Sequence, residues 1–349
     1  LPDFVLDRYE DLEARYLQDL SPVERERFVE QNAAAVRAHL PADYLLANHV
    51  LLGAPVGAAV GMPFTVKVHG SELEFSMRGN DELIAWAGES LAKAQEIVVG
   101  SDHIRDVLAE IVGWTERVRI VPPGVDVEEF KPMSREQALA GLLAESARDG
   151  RPKSEREPDE GNAERFERFF AEEAPTVVYV GKLSSEKGVH LLLEALRSLE
   201  VRAVVVGFGP AREELERAAG KDVLFTGALE HRHLAHLWPL ATVSVMPSIF
   251  AEAFGMVAAE AAACGCPPLV ARQSGMVDVA AGLEDEYPAE HRHLASFASG
   301  DALDLAEKLA AILALPAREW RDLSAAARRA AVENWSWERI AALLLSVNG

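Results

Sequence analysis

From Thr176 onward the chain alternates short β-branched runs with helical stretches, and this rhythm restricts the fold more than any other feature. Val177–Val180, Ala203–Val206, Val223–Thr226 and Val243–Met246 read as strands, with helices at Val189–Ser198, Ala211–Ala219 and His231–Leu237 between them. Strands that are apolar throughout are buried on both faces and belong to a parallel sheet covered by helices. The turn Cys264-Gly265-Cys266-Pro267-Pro268 and the strand-like Leu269-Val270-Ala271 continue the series. Helices at Leu303–Leu313, Ser324–Val332 and Trp337–Ser346 close it. The whole predicts a nearly complete doubly wound α/β unit.

The first half repeats the alternation less fully. Residues 1–40 read mostly as helix, with Ser21-Pro22 opening the run 23–32 as cap and first-turn proline. Strands follow at Asp43–Asn48, Phe64–Val68, Glu96–Val99 and Val118–Val121, with helices at Asp81–Lys93 and from Ser101-Asp102 to Val112. No glycine-rich βα turn opens this half. Residues 134–174 change character, and 148–162 (RDGRPKSEREPDEGN) are charged and punctuated by Pro and Gly. Such a composition buries little apolar surface and predicts a mobile linker. The expected domains are therefore 1–133, partial and Rossmann-like; 134–174, a charged linker; 175–330, a second Rossmann-like domain; and 331–349, a C-terminal helix packing back on the first domain.

A chain of 349 residues exceeds one ordinary core. Its net charge of −21 argues against nucleic acid or an anionic membrane surface as the main partner. A phosphate ligand is still allowed, because distant charge is screened within about 10 Å while nearby lysines and helix ends act locally. No apolar run reaches the roughly 18 residues of a membrane span, and no secretory signal is visible. This leaves room for peripheral membrane contact. Cys264 and Cys266 are too close together and too few for a disulfide framework or a metal set. They read as small buried residues in a reducing compartment, the cytoplasm.

The stretch 249–271 (IFAEAFGMVAAEAAACGCPPLVA) carries two acids, Glu252 and Glu260, separated by seven residues. It reads as loop, helix, turn and strand, with Glu252 before the helix and Glu260 within it. The helix start offers free backbone N–H groups and a positive dipole end, which suit a phosphate. Glu260 taken alone reads equally as a solvated helix face. The turn 181–188 (GKLSSEKG) places Lys182 at the carboxyl end of a parallel strand, where open α/β sheets bind ligands, and Lys187 five residues on. Two ammonium groups there can clamp a diphosphate and stabilise its charge as it leaves; the bland reading of Lys187 is a surface residue in a tight turn. His69, followed by Gly70, ends another strand, and a pKa near neutrality would let it donate to a sugar or phosphate. Gly207-Phe208-Gly209-Pro210 lacks the third glycine of a dinucleotide fingerprint and reads as a tight turn near the nucleotide. The hexapeptide EHRHLA occurs at 230–235, as a helix opening, and at 290–295, as a surface loop. Neither copy has zinc-site spacing, so no metal is expected.

In order, five stretches resemble the retaining glycosyltransferases of family 4: residues 68–71 (VHGS), 120–130 (IVPPGVDVEEF), 180–188 (VGKLSSEKG), 205–209 (VVGFG) and 252–260 (EAFGMVAAE). The resemblance covers roughly residues 43–345. It implies the GT-B fold, two Rossmann-like doubly wound domains facing a central cleft, the first one incomplete. It also implies transfer of a sugar from a UDP- or GDP-sugar to an acceptor hydroxyl, with the nucleotide-sugar as co-substrate and neither cofactor nor metal. The acceptor would be a small molecule, a glycan or a lipid. Lys182 and Lys187 would hold the diphosphate, Glu252 would lie beside the transferred sugar, and Glu260 would accept the ribose hydroxyls. The amides of Phe254, Gly255, Met256 and Val257 would meet the sugar or distal phosphate, Gly207 would approach the nucleotide, and His69 would face the sugar from the first domain.

Three departures stand out. Lys182 replaces the family's usual Arg and gives up its bidentate fork. Pro123 stands where the family often has Asn. The family's opening strand and Gly-Gly loop have no counterpart, so the chain is expected to begin partway through the first domain, roughly 70–90 residues in. Two other readings are a non-catalytic relative that binds a nucleotide or a partner, and another GT-B enzyme such as a sugar-nucleotide epimerase. A phosphorylase would need a pyridoxal-phosphate lysine, for which there is no clear candidate.

Overall fold

The computed structural model describes residues 2–3, 15–113 and 117–346. These divide into two compact units, one running to Pro122 and including the chain from Leu343, the other comprising Pro123–Ala342.

The first unit has a four-stranded parallel sheet in chain order, Leu46–Asn48, Thr65–Val68, Glu96–Val99 and Val118–Ile120. All four residues of Thr65–Val68 are buried, as expected for a strand covered on both faces. The helices begin where local side-chain chemistry stops an extended chain. Ser21 and Glu24 form a reciprocal capping box ahead of Pro22–Arg37. Asn80 caps Asp81–Leu91, and Ser101 caps Asp102–Val112, which ends at Gly113 in the left-handed region. Within residues 1–40, only Pro22–Arg37 is α-helical among the described residues, and Arg15–Tyr16 is extended. The rest of that helical expectation, over 4–14, lies outside the described residues.

The second unit has six parallel strands in the order Ser296–Phe297, Pro268–Ala271, Val243–Met246, Thr176–Val180, Arg202–Val206, Val223–Phe225. Chain order reverses between Thr176–Val180 and Val243–Met246, which pair directly (Ser244 with Val178). That reversal is the topological switch point of a doubly wound sheet. In the first unit's sheet, among the described residues, the strands run one way with no reversal.

The linker expectation for 134–174 is corrected. Ser134 and Gln137 box the start of helix Arg135–Ser146, and Asn162–Phe169 forms another helix whose Phe166 is fully buried. The charges between them are spent inside the unit. Asp159 receives both guanidinium N–H groups of Arg212 at 2.9 and 2.6 Å, and Arg232 reaches Glu145 and Asp149. A polar segment is ordered here by partners remote in sequence. The second EHRHLA copy is likewise not a surface loop: Ala289–Leu294 is a 3-10 turn with Leu294 buried and His291 3.1 Å from Glu319. The last helix, Trp337–Leu345, starts against Val125 through a bridge at Ser336, and Arg119 donates to the Leu343 carbonyl in the first unit. The part of the C-terminal expectation at 347–349 lies outside the described residues.

Candidate functional site

The loops that leave Thr176–Val180 and Val243–Met246 emerge side by side, because those strands are neighbours at the switch point. Their approach is very close. Gly188 has φ +67°, and a Cβ there would lie 2.0 Å from the Pro247 carbonyl oxygen. The N–H groups of Ile249 and Phe250 both donate to the Glu186 carbonyl. This brings Lys187 Nζ to 2.5 Å from Glu252 Oε1, with the two side chains 30% and 21% exposed. A third loop secures Glu252: its N–H donates to Ser274 Oγ at 2.8 Å, and its carbonyl accepts from Gly275 N–H at 2.9 Å. Ser274 has φ +45°, uncommon for serine and typical of a constrained site. Beneath them the buried Tyr179 donates to the Lys182 carbonyl at 2.9 Å. Burial first, then the charge of Glu252, pushes the Tyr179 phenol well above its usual range. Lys182 itself is exposed and makes no salt bridge among the described residues.

Three residues after Glu252 the backbone turns through Gly255 (φ +123°) into helix Met256–Ala263. Phe254 is buried edge-on against Trp335, with ring centroids 5.9 Å apart, and anchors the helix start. As the first residues of the helix, Met256 and Val257 have no intrahelical acceptor for their N–H groups, which leaves donors suited to an anion.

Glu260, one turn in, is 6% exposed and not on a solvated face. Burial, opposed by His231 and reinforced by Glu129, raises its carboxyl to about 7. The folded carboxyl therefore keeps its proton to higher pH than the unfolded one, with a usual value of 4.5. Its stabilising contribution is complete below pH 4.5 and is lost as pH rises through 7. Glu260→Gln is expected to remove a decline on the order of 2–3 kcal/mol across that window. Urea unfolding at pH 5 and pH 8 checks this, and an identical decline in the variant would refute it.

Gly207 and Gly209 have φ +143° and +147° because two loops pair backbone to backbone. Gly181 N–H donates to the Val206 carbonyl, Leu183 N–H to Phe208, and Gly207 N–H to Gly227. A Cβ on Gly207 would lie 1.8 Å from the Gly181 carbonyl oxygen. This approach of protein to protein accounts for the glycine at 207, and it sets the height of the loop that carries Lys182.

His69 sits in the first unit, at the carboxyl end of Thr65–Val68. Its Nε2 is 3.2 Å from Asn48 Oδ1, and its ring lies tilted by 37° against that of His49, with centroids 4.4 Å apart. The fully buried Glu72 lies below, taking the N–H of Val50 at 2.7 Å and facing Nδ1 of His49 at 2.9 Å. Burial, then His49 and Lys67, depress the His69 pKa to about 4, which corrects the expectation of a value near neutrality. At pH 7 the ring is neutral and offers one donor and one acceptor. The sequence reading missed Tyr179, Ser274, His231, His49 and Glu72. His231 lies in the EHRHLA stretch read as a helix opening and Glu72 directly after residues 68–71, while Tyr179, Ser274 and His49 stand in no local motif and a strand-end position was the one signal open to His49. Cys264 and Cys266 are buried and unpaired, and no group of three or more His, Cys, Asp or Glu is placed to hold a metal among the described residues.

The family described as Glycosyl transferases group 1 matches residues 161–330. Sulfoquinovosyl transferase SQD2 of Arabidopsis thaliana is 30% identical over 67% of this chain and 40% of its own length. The D-inositol 3-phosphate glycosyltransferase of Xylanimonas cellulosilytica is 31% identical over 77% of this chain and 58% of its own. The chain thus spans about half the length of these curated relatives. Among solved structures, sucrose-phosphate synthase from Thermosynechococcus elongatus aligns with TM-score 0.66 at 23% identity, covering 99% of this chain and 85% of that one. Anabaena HepE in complex with UDP aligns with TM-score 0.70 at 16% identity, covering 96% and 85%. The fold is the GT-B type expected.

Proposed function

With a group 1 glycosyl transferase domain over residues 161–330, the chain belongs to the family 4 type of GT-B glycosyltransferases, and on that premise we propose that it transfers a sugar from a nucleotide-sugar to an acceptor hydroxyl with retention of configuration. One observation carries the reading: the Lys187–Glu252 pair stands at the switch point of a complete doubly wound sheet, three residues ahead of a helix N-terminus. An ammonium has three donors, so Lys187 can hold Glu252 and still face a diphosphate. Lys182 adds a second cation, and the amides from Phe254 to Val257 complete an anion cradle. Glu252 then lies beside the sugar, and Glu260 accepts the ribose hydroxyls.

In this reading the bond from the anomeric carbon to the diphosphate oxygen breaks, and its electron pair leaves with the diphosphate. The acceptor hydroxyl attacks the same face and passes its proton to that leaving oxygen. Two lysines and a helix end supply the neutralising charge, so no metal is called for. The donor is a UDP- or GDP-sugar, and the acceptor is a small molecule, a glycan or a lipid. Buried, unpaired Cys264 and Cys266 support a reducing compartment, the cytoplasm. No described helix is long and apolar enough to cross a membrane.

The test is incubation of the chain with UDP-, GDP- and ADP-sugars, reading nucleotide release and the anomeric configuration of the product, beside Glu252→Gln. Release by the wild type alone, with retention, supports the proposal. Nucleotide binding without release from any donor would overturn the enzymatic reading, and inversion would overturn the mechanism.

A further inference from the structure

The buried carboxyl of Glu260 has a neighbour with no part in the scheme above. Its Oε1 lies 3.8 Å from Nε2 of His231, the first residue of helix His231–Leu237. The two side chains differ sharply in environment, 7% exposed for Glu260 and 68% for His231. Phe130 meets the imidazole edge-on, with ring centroids 5.6 Å apart. The backbone under His231 is held firmly. Glu230 and His233 cap the helix reciprocally, His233 Nε2 is 3.1 Å from Asp149, and Arg232 reaches Glu145 and Asp149. His231 is therefore a fixed residue whose ring touches a buried acid on one side and water on the other.

Other charged and titratable groups face this acid. Glu129 adds a like charge, and Cys264, at the C-cap of the helix that carries Glu260, senses it electrostatically. Arg328, from helix Ala317–Ala330, donates to the carbonyls of Ala263 and Phe130 close by. Among these groups His231 is the one that brings a ring nitrogen, with a lone pair when neutral, to within 3.8 Å of the Glu260 carboxyl.

We propose that Glu260 and His231 act as a proton-sharing pair that keeps nucleotide affinity nearly independent of pH, an inference that rests on the reading of Glu260 as the ribose ligand. A ribose diol donates two hydrogen bonds, and a carboxylate accepts them better than a carboxylic acid does. Nucleotide binding fixes Glu260 as the carboxylate, and its proton passes to the Nε2 lone pair of His231. The imidazolium stays beside the carboxylate it has relieved. With its carboxyl raised to about 7, Glu260 holds a proton that binding can displace near neutral pH, and the imidazole 3.8 Å away is there to receive it. Without the imidazole that proton must be released to solvent, and binding then weakens as pH falls. His231 is in this sense a positioning residue for charge, acting through Glu260.

Two measurements test this on wild type, His231→Gln and Glu129→Gln. The first follows the Glu260 side-chain carboxyl carbon by NMR against pH without ligand. His231→Gln is expected to raise the midpoint and Glu129→Gln to lower it, opposite shifts that a merely structural role would not produce. The second is calorimetric titration with UDP and with GDP, in buffers of different ionisation enthalpy, from about pH 5.5 to about pH 8.5. His231→Gln is expected to release more protons on binding and to lose roughly three- to fivefold in affinity near pH 6 relative to wild type, the size of a half-exposed ion pair. Equal Glu260 titrations and equal pH slopes in wild type and His231→Gln would overturn the inference while leaving the donor site intact. Failure of the wild type to bind either nucleotide would instead overturn the donor-site reading and this inference with it.

Discussion

Lys187→Ala is expected to lower kcat roughly 100- to 1000-fold, the cost of removing one preorganised group that stabilises developing charge. The loss has two sources. The ammonium disappears from the place where the diphosphate takes up charge. The carboxylate of Glu252, now 21% exposed on its side chain and 2.5 Å from the lysine nitrogen, loses its partner. An unpaired carboxylate at that point repels the incoming diphosphate, so nucleotide binding weakens as well as turnover. The double variant Lys187→Ala with Glu252→Gln separates these sources. Removing the stranded charge is expected to restore part of the UDP or GDP affinity lost in the single variant, with turnover still absent. Affinities that simply add would show that the pair does not act as a unit. An unchanged kcat in Lys187→Ala would remove this lysine from the chemistry.

Gly207→Ala is expected to cost about 3–5 kcal/mol, at the upper end for a single substitution. The position has φ +143°, a region that side chains strain to adopt, and its Cβ would lie 1.8 Å from the Gly181 carbonyl oxygen. That contact is backbone against backbone, so no side chain can rotate away. Relief requires parting the two loops, at the expense of the hydrogen bonds from Gly181 to Val206 and from Leu183 to Phe208. Lys182 rides on the displaced segment, so nucleotide binding is expected to weaken in whatever fraction folds. Urea unfolding is the measurement, read as a lower midpoint with an unchanged slope. Gly220→Ala is the control: a Cβ there meets nothing within 4 Å, and the substitution is expected to be nearly neutral. Equal stability in the two variants would disprove the loop-pairing argument.

Most of the second sheet was legible because its strands are short runs of β-branched residues bounded by Gly and Pro, and each such run is a local property. Val243–Met246 and His231–Leu237 have the limits expected, and Thr176–Val180 and Arg202–Val206 each extend the expected strand by one residue at its start. Helix starts were legible where a cap is local, as at Ser21 and Ser101. The helix Met276–Glu286 and the short strand Ser296–Phe297 were not singled out, since neither has a strong cap or a β-branched run of its own. The segment 134–174 was misread for a different reason. Its charges look solvated when counted along the chain, but Asp159, Glu145 and Asp149 meet arginines 53 to 87 residues away.

The candidate site divides in the same way. Lys182, Lys187, Glu252 and Glu260 could be chosen from the sequence, because strand ends and helix starts are local and parallel sheets bind ligands at the strands' carboxyl ends. What those residues do to one another could not be read there. Lys187 and Glu252 are 65 positions apart, and only the strand reversal sets their loops side by side. The neutral state of His69 and the raised carboxyl of Glu260 come from burial and from neighbours such as His49 and His231. The sequence alone therefore determined which elements form and which side chains stand at their ends, since hydrogen-bonding pattern and side-chain shape act over a few residues. Which charges are paired, which are buried and which keep their protons was decided by the tertiary structure, because desolvation and Coulomb energy depend on distances in space that the order of residues does not contain.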